Sequence, residues 1–204
     1  MSMYKGLNRS RLVTLAVVAA LVVGGWLAFK PEAKTTNTPV TGQTTPATTS
    51  TKGADPSKAV LIEADGFKYE KPAGWAEIAP KILEANGSAS GIGRPIEPVA
   101  TFGVKISNTT PKDANDLRNG TLNELKKFTN FQLTSNVNTK VDNQSGQKFI
   151  YSFSDGEGKN KTTQQMSVIP YKGKTFFLLF SSAAADYDKQ AAEFNKILVS
   201  FKFK

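Results

Sequence analysis

Residues 163–181 read TQQMSVIPYKGKTFFLLFS. Two runs rich in branched and aromatic side chains flank Lys172-Gly173-Lys174, which is the grammar of a tight hairpin. The uninterrupted FFLLF at 176–180 predicts the most buried strand of the chain. Reading back from the hairpin, Phe149, Tyr151 and Phe153 alternate along Gln147 to Ser154, and Phe131, Leu133, Ser135 and Val137 alternate along Phe131 to Asn138. Four antiparallel strands are therefore expected in succession. Reading forward, Ala191, Phe194 and Ile197 share one side of a predicted helix over Ala184 to Lys196. Val199, Phe201 and Phe203 then alternate as a terminal strand.

The upstream half completes the pattern. Asp65-Gly66 reads as a turn before a short Phe67/Tyr69 strand. Pro72, Ala73 and Gly74 break it, and Ile78, Ile82 and Leu83 suggest a short strand or helical turn around Pro80. Residues 86–95 (NGSASGIGRP) read as a glycine-rich loop, and Val99 to Ile106 as a strand. Leu117, Leu122, Leu125 and Phe128 predict a helix over Ala114 to Lys127, with Gly120 weakening it by about 1 kcal/mol against alanine. The order of elements argues for an α+β domain over residues 58–204, one antiparallel sheet flanked by helices. The terminal strand should pair centrally or with the early strands.

GFKYEKPAGW at 66–75, with Phe67, Tyr69, Pro72, Gly74 and Trp75, resembles the opening of PsbP-like domains. The hairpin YKGKTFFLLFSS, the helix through Tyr187 and Phe194 and the closing ILVSFKF follow in the same order. The resemblance covers residues 60–204. It implies the PsbP/Mog-type α/β/α sandwich and a binding or assembly role more than a reaction. Members of that family include an extrinsic photosystem II subunit, a nuclear Ran-binding protein and exported bacterial proteins.

The N-terminal part has a different character. Leu12 to Phe29 (LVTLAVVAALVVGGWLAF) is uncharged. As a helix it would span roughly 27 Å, close to a bilayer's hydrocarbon core. Lys5, Arg9 and Arg11 precede it and Lys30 closes it. The positive-inside rule then places residues 1–11 in the cytoplasm, 12–29 in membrane lipid, and the rest outside. The rival is a cleaved signal peptide, but bulky Trp26, Leu27 and Phe29 stand where cleavage favours small residues. Residues 30–57 form the expected linker. Nine of residues 31–57 are Thr and four are Pro, too few apolar side chains to offset ordering. The reading is a single-pass plasma-membrane protein with its C-terminal domain outside.

The chain has no histidine and no cysteine. Imidazole bases, thiolate nucleophiles, disulfides and imidazole or thiolate zinc sites are excluded. Carboxylate, lysine, tyrosine and hydroxyl chemistry remains. Asp113 and Asp116 could hold a cation, but their place at a helix start favours stabilising its dipole. Asp186 and Asp188 flank Tyr187 at the later helix and read as caps. Asp155-Gly156-Glu157-Gly158 lacks the further ligands of a calcium loop and reads as an exposed turn. GSASGIGR at 87–94 lacks the P-loop ending; Arg94 would be the anchoring charge if it bound an anion. No catalytic, cofactor or metal residues are assigned. A carboxylate enzyme would need two groups such as Glu97 and Asp142 converging in a pocket.

The net charge is +9, spread over the anchor flank and separate basic points at Lys126-Lys127, Lys159/Lys161 and Lys172/Lys174. The aromatics alternate within strands as core, so nucleic acid is not expected. The first reading is a membrane-anchored, non-catalytic domain that binds an envelope protein or anionic polymer. The alternatives are a photosystem II-associated extrinsic subunit and, behind it, a carboxylate-dependent hydrolase. The oligomeric state is left open.

Overall fold

The computed structural model describes residues 58–155, 158 and 160–204. The expected anchor at 12–29 and linker at 30–57 lie outside these residues. Among the described residues no helix is long and apolar enough to cross a membrane.

The described residues form ten strands and three helices. In order they are β1 (Val60–Ala64), β2 (Phe67–Lys71), β3 (Ala76–Glu77), α1 (Pro80–Ala85), β4 (Ser90–Arg94), β5 (Ala100–Ser107) and α2 (Ala114–Leu125). Then come β6 (Gln132–Val141), β7 (Gln144–Ser154), β8 (Lys161–Tyr171), β9 (Lys174–Ala183), α3 (Tyr187–Ser200) and β10 (Lys202–Phe203). Every strand pairing is antiparallel. The strands form two sheets, not the single sheet expected: a seven-stranded sheet in the order β3-β4-β5-β9-β8-β7-β6, and a three-stranded sheet β1-β2-β10.

The predicted hairpin sits in the middle of the large sheet. Tyr171 pairs with Lys174 across Lys172 and Gly173, both with positive φ, as a two-residue turn of the primed type requires. β9 lies between β5 and β8, so both its edges are paired, and its two faces enter different core clusters. Phe176, Leu178 and Phe180 enter one core cluster with Phe67, Tyr69, Phe102, Phe194 and Phe201. Leu179, with Phe177 packed against it, enters a second cluster with Leu117, Leu125, Phe149, Tyr151 and Met166. The large sheet is thus the middle layer. The small sheet and α3 cover one face, and α2 covers the other.

Two expectations are corrected, and the Pro72–Trp75 turn is found where it was expected. The glycine-rich segment is not a loop, because Ser90–Arg94 forms β4. Its small residues let α1 press on the sheet: a Cβ on Gly91 would lie 2.9 Å from Leu83 Cδ2 and 3.0 Å from Ile78 Cδ1. The last strand shrinks to Lys202–Phe203, paired with Lys68 and Phe67, because α3 continues through Val199 to Ser200. It closes the small sheet and does not join the large one. The Pro72–Trp75 break is a turn closed by Trp75 N–H donating to the Pro72 carbonyl at 3.2 Å, with Gly74 at φ 78°. No atom lies within 4 Å of a Cβ placed on Gly74, so substitution there meets backbone strain alone. Gly74→Ala should cost about 1 kcal/mol, measured as a fall in the urea midpoint at unchanged slope.

Candidate binding face

The carboxylates singled out from sequence are used structurally. Asp113 is the N-cap of α2, its Oδ1 accepting from the Asn115 and Asp116 N–H groups at 2.8 Å each. Asp116 in turn accepts from the Lys112 N–H at 3.0 Å. Asp186 occupies the N-cap position of α3, but its carboxylate pairs with Lys189 at 2.9 Å and makes no backbone cap, which corrects that expectation. Asp188 lies in the first turn of α3. Asp155 accepts from the Asn160 side-chain amide at 2.6 Å; Gly156, Glu157 and Lys159 lie outside the described residues.

Asp142 and Glu97 do not converge. Asp142 sits in the β6–β7 turn and ties down the C-terminus, accepting from Lys202 Nζ at 3.0 Å and the Phe203 N–H at 2.9 Å. The Lys202 ammonium, helped by that N–H, holds its carboxyl below the usual range. Glu97 is exposed and precedes a cis Pro98. Arg94 ends β4 and lies 3.7 Å from Glu193 of α3, which also accepts from Trp75 Nε1 at 2.9 Å. It is a cross-layer tie between β4, the turn and α3. Among the described residues no group of three or more acidic side chains gathers as a metal site.

The basic points are separate. Lys127 pairs with Glu124. Lys161 donates to Gln132 at 3.0 Å. At the opposite end of β8, Lys172 donates to the Lys204 carbonyl at 3.1 Å and Lys174 lies 3.9 Å from Asp65. The strand lengths between them prevent a single cationic surface.

The concave surface lies on the α2 face. α2 buries only Leu117 and Leu125, and Gly120 leaves open space beside it. Hollows flank the helix. One, about 660 Å³, lies between the start of α2 and the β6–β7 hairpin, lined by Asp113, Asn138, Lys140 and Gln147. The other, about 410 Å³, has Met166 and Phe177 as an apolar floor and Thr109, Thr175, Gly120 and Glu124 on its walls. Thr175 Oγ1 donates to the Thr109 carbonyl at 2.6 Å, fixing the loop that leads into α2. Hydroxyls around an apolar floor suit recognition of a partner surface better than proton transfer.

Lys105 stands beside this second hollow. It lies directly opposite Phe177 in the β5–β9 ladder, so the two side chains share a face. It is 2% exposed, and its Nζ has no hydrogen-bond partner among the described residues. Burial lowers its pKa to about 8. Sequence reading missed it, because a lysine alternating with Phe102, Val104 and Ile106 looks like the solvent face of a half-buried strand. That face is covered as well, by α2. Deeper under α2, Tyr151 donates to Gln164, which donates to Ser181, a fully internal polar chain. Burial pushes the Tyr151 phenol well above its ordinary pKa.

A family model described as PsbP matches residues 59–203. The fold is similar to the solution structure of cyanobacterial PsbP (CyanoP) from Synechocystis sp. PCC 6803, with 19% identity and a TM-score of 0.53. That match covers 77% of this chain and 99% of the other. It is also similar to LpqN of Mycobacterium tuberculosis, described as involved in cell envelope biogenesis. There the identity is 16% and the TM-score 0.51, covering 72% of this chain and 91% of the other. Comparison with curated protein sequences gives no match.

Proposed function

The chain belongs to the PsbP family, and from that premise we propose that its folded domain is a non-catalytic binding or assembly module working outside the cytoplasm. Within that role, an extrinsic subunit of the photosystem II type is the reading put forward. It is supported by the family match over 59–203 and by the likeness to cyanobacterial PsbP over nearly all of that chain. The expectation of an envelope partner, first in the sequence reading, therefore becomes the second reading. It keeps the support of the likeness to LpqN and of the uncharged run at 12–29.

The observation that carries a binding role is how the charged groups are spent. Asp113 caps, Asp142 holds the C-terminus, and Glu193 bridges Trp75 and Arg94. The hollows beside α2 are open and lined by hydroxyls, amides and apolar side chains. Membrane anchoring through 12–29, N-terminus inside, belongs to the proposal and would hold the module at the membrane on its Thr/Pro-rich linker.

The test is cross-linking in the source cells followed by capture of the full chain. Photosystem II subunits should dominate the captured proteins and disappear when 58–204 is deleted and 1–57 kept. An envelope protein in their place, with the same dependence on 58–204, would overturn this reading in favour of the second.

A further inference from the structure

β6 is the free edge of the seven-stranded sheet, and it is ten residues long. An open edge offers unpaired N–H and C=O groups to any other strand, and proteins blunt such edges by shortness, charge, proline, bulges or cover. The other edges here are blunted. β3 has two residues, and β10 has two. β1 carries Glu63, which meets Lys204 at 3.5 Å. β6 has a register irregularity only between Leu133 and Ser135. From Ser135 to Val141 its ladder with β7 is regular, with no proline and the single charge of Lys140.

In the middle of that regular stretch Val137 is 45% exposed. It lies on the face away from α2, the face on which Val141 joins the core. We propose that β6 pairs with β6 of a second copy, antiparallel and centred on Val137, so that the large sheets of two molecules become continuous. The strand is self-complementary in this register. Val137 meets Val137, Ser135 meets Thr139, and Asn136 meets Asn138. Each Lys140 falls beside Thr134 of the other strand. The two Lys140 side chains then stand six residues apart along the ladder, about 20 Å, and beyond the screening length at physiological salt. A register centred near Lys140 would set the two charges against each other.

The chain has no native cysteine, so Val137→Cys introduces a single thiol. Directly opposed Cβ atoms in an antiparallel pair lie within disulfide reach. Under mild oxidation the full-length Val137→Cys chain should form covalent dimer at least about tenfold faster than Val199→Cys, whose parent valine is 79% exposed on α3. Both variants carry the same residues 1–57, so any association through that segment cancels. Val137→Lys should weaken the non-covalent dimer on the order of tenfold in sedimentation equilibrium, through like charges brought face to face. Equal cross-linking rates for the two cysteines, or a Val137→Lys chain that dimerises as tightly as the parent, overturns the proposal. So does a chain that stays monomeric at its highest soluble concentration, including one whose edge takes only a foreign strand.

Discussion

Phe67→Ala should cost about 4 kcal/mol, a large share of the roughly 5–15 kcal/mol that holds a domain of this size together. Phe67 is fully buried where the two sheets meet. Its ring stacks on Phe201 at 5.4 Å between centroids and on Tyr69 at 6.2 Å, and it meets Phe176 edge-on at 6.2 Å. Each of those rings comes from a different place: Tyr69 from β2, Phe176 from the central hairpin, Phe201 from the end of α3. Removing the ring leaves a cavity bordered by rigid aromatics that cannot collapse into it. The transfer loss and the cavity loss therefore add. Urea denaturation followed by far-ultraviolet circular dichroism measures the effect. Leu61→Ala, on the exposed edge strand β1, should stay within about 0.5 kcal/mol of the parent. Equal midpoints for the two variants would mean that the small sheet contributes little to holding the large one.

The same aromatics explain what could be read in advance. Alternation in 163–181 and around Phe149 located the central hairpin and its neighbour, because strands whose side chains are sorted by face carry their period in the sequence. The spacing of Leu117, Leu122 and Leu125 located α2 to within two residues of its observed end. Three features were hidden for separate reasons. β4 was masked by its glycines, which exist for the close approach of Leu83 and Ile78 and resemble a loop until that neighbour is known. Val199, Phe201 and Phe203 fit a strand, but Phe194, Ile197 and Phe201 equally fit one side of a helix. The helix prevails because it delivers Phe201 onto Phe67 and leaves Val199 in solvent. The turn at Asp142-Asn143, both with positive φ, joins β6 to β7 within a stretch of mixed polar residues that shows no period. The candidate face was least legible of all. The hollows beside α2 depend on how narrow a helix with Gly120 at its middle is against the sheet, and the burial of Lys105 depends on a covering layer that no strand period reveals.

Lys105→Met should make the protein more stable, and by an amount that depends on pH in a fixed direction. Methionine keeps the length and most of the volume of the stem and removes the ammonium, which finds no partner among the described residues in its buried position. In the folded protein the Lys105 pKa falls from an ordinary 10.5 to about 8. Below pH 8 both folded and unfolded chains hold the proton, and the folded state bears the full cost of a buried charge. Between about 8 and 10.5 the folded chain has released a proton that the unfolded chain still binds, so the parent gains stability as pH rises. Above 10.5 both are neutral and the cost is gone. The depression corresponds to roughly 2–3 kcal/mol. The variant's advantage should therefore be roughly 2–3 kcal/mol at pH 7 and should shrink to nothing by pH 10.5. Tyr69 and Tyr151 work in the opposite sense, since burial raises both phenols and unfolding then releases their protons in alkali. They act equally on parent and variant and cancel in the difference. Chemical denaturation of both proteins from pH 7 to 10.5 gives that difference directly. An advantage that stays constant across the range would assign the gain to packing rather than to charge. If the more stable variant also loses partner binding, the ammonium is kept for recognition at the Phe177 hollow, against the stability of the fold that carries it.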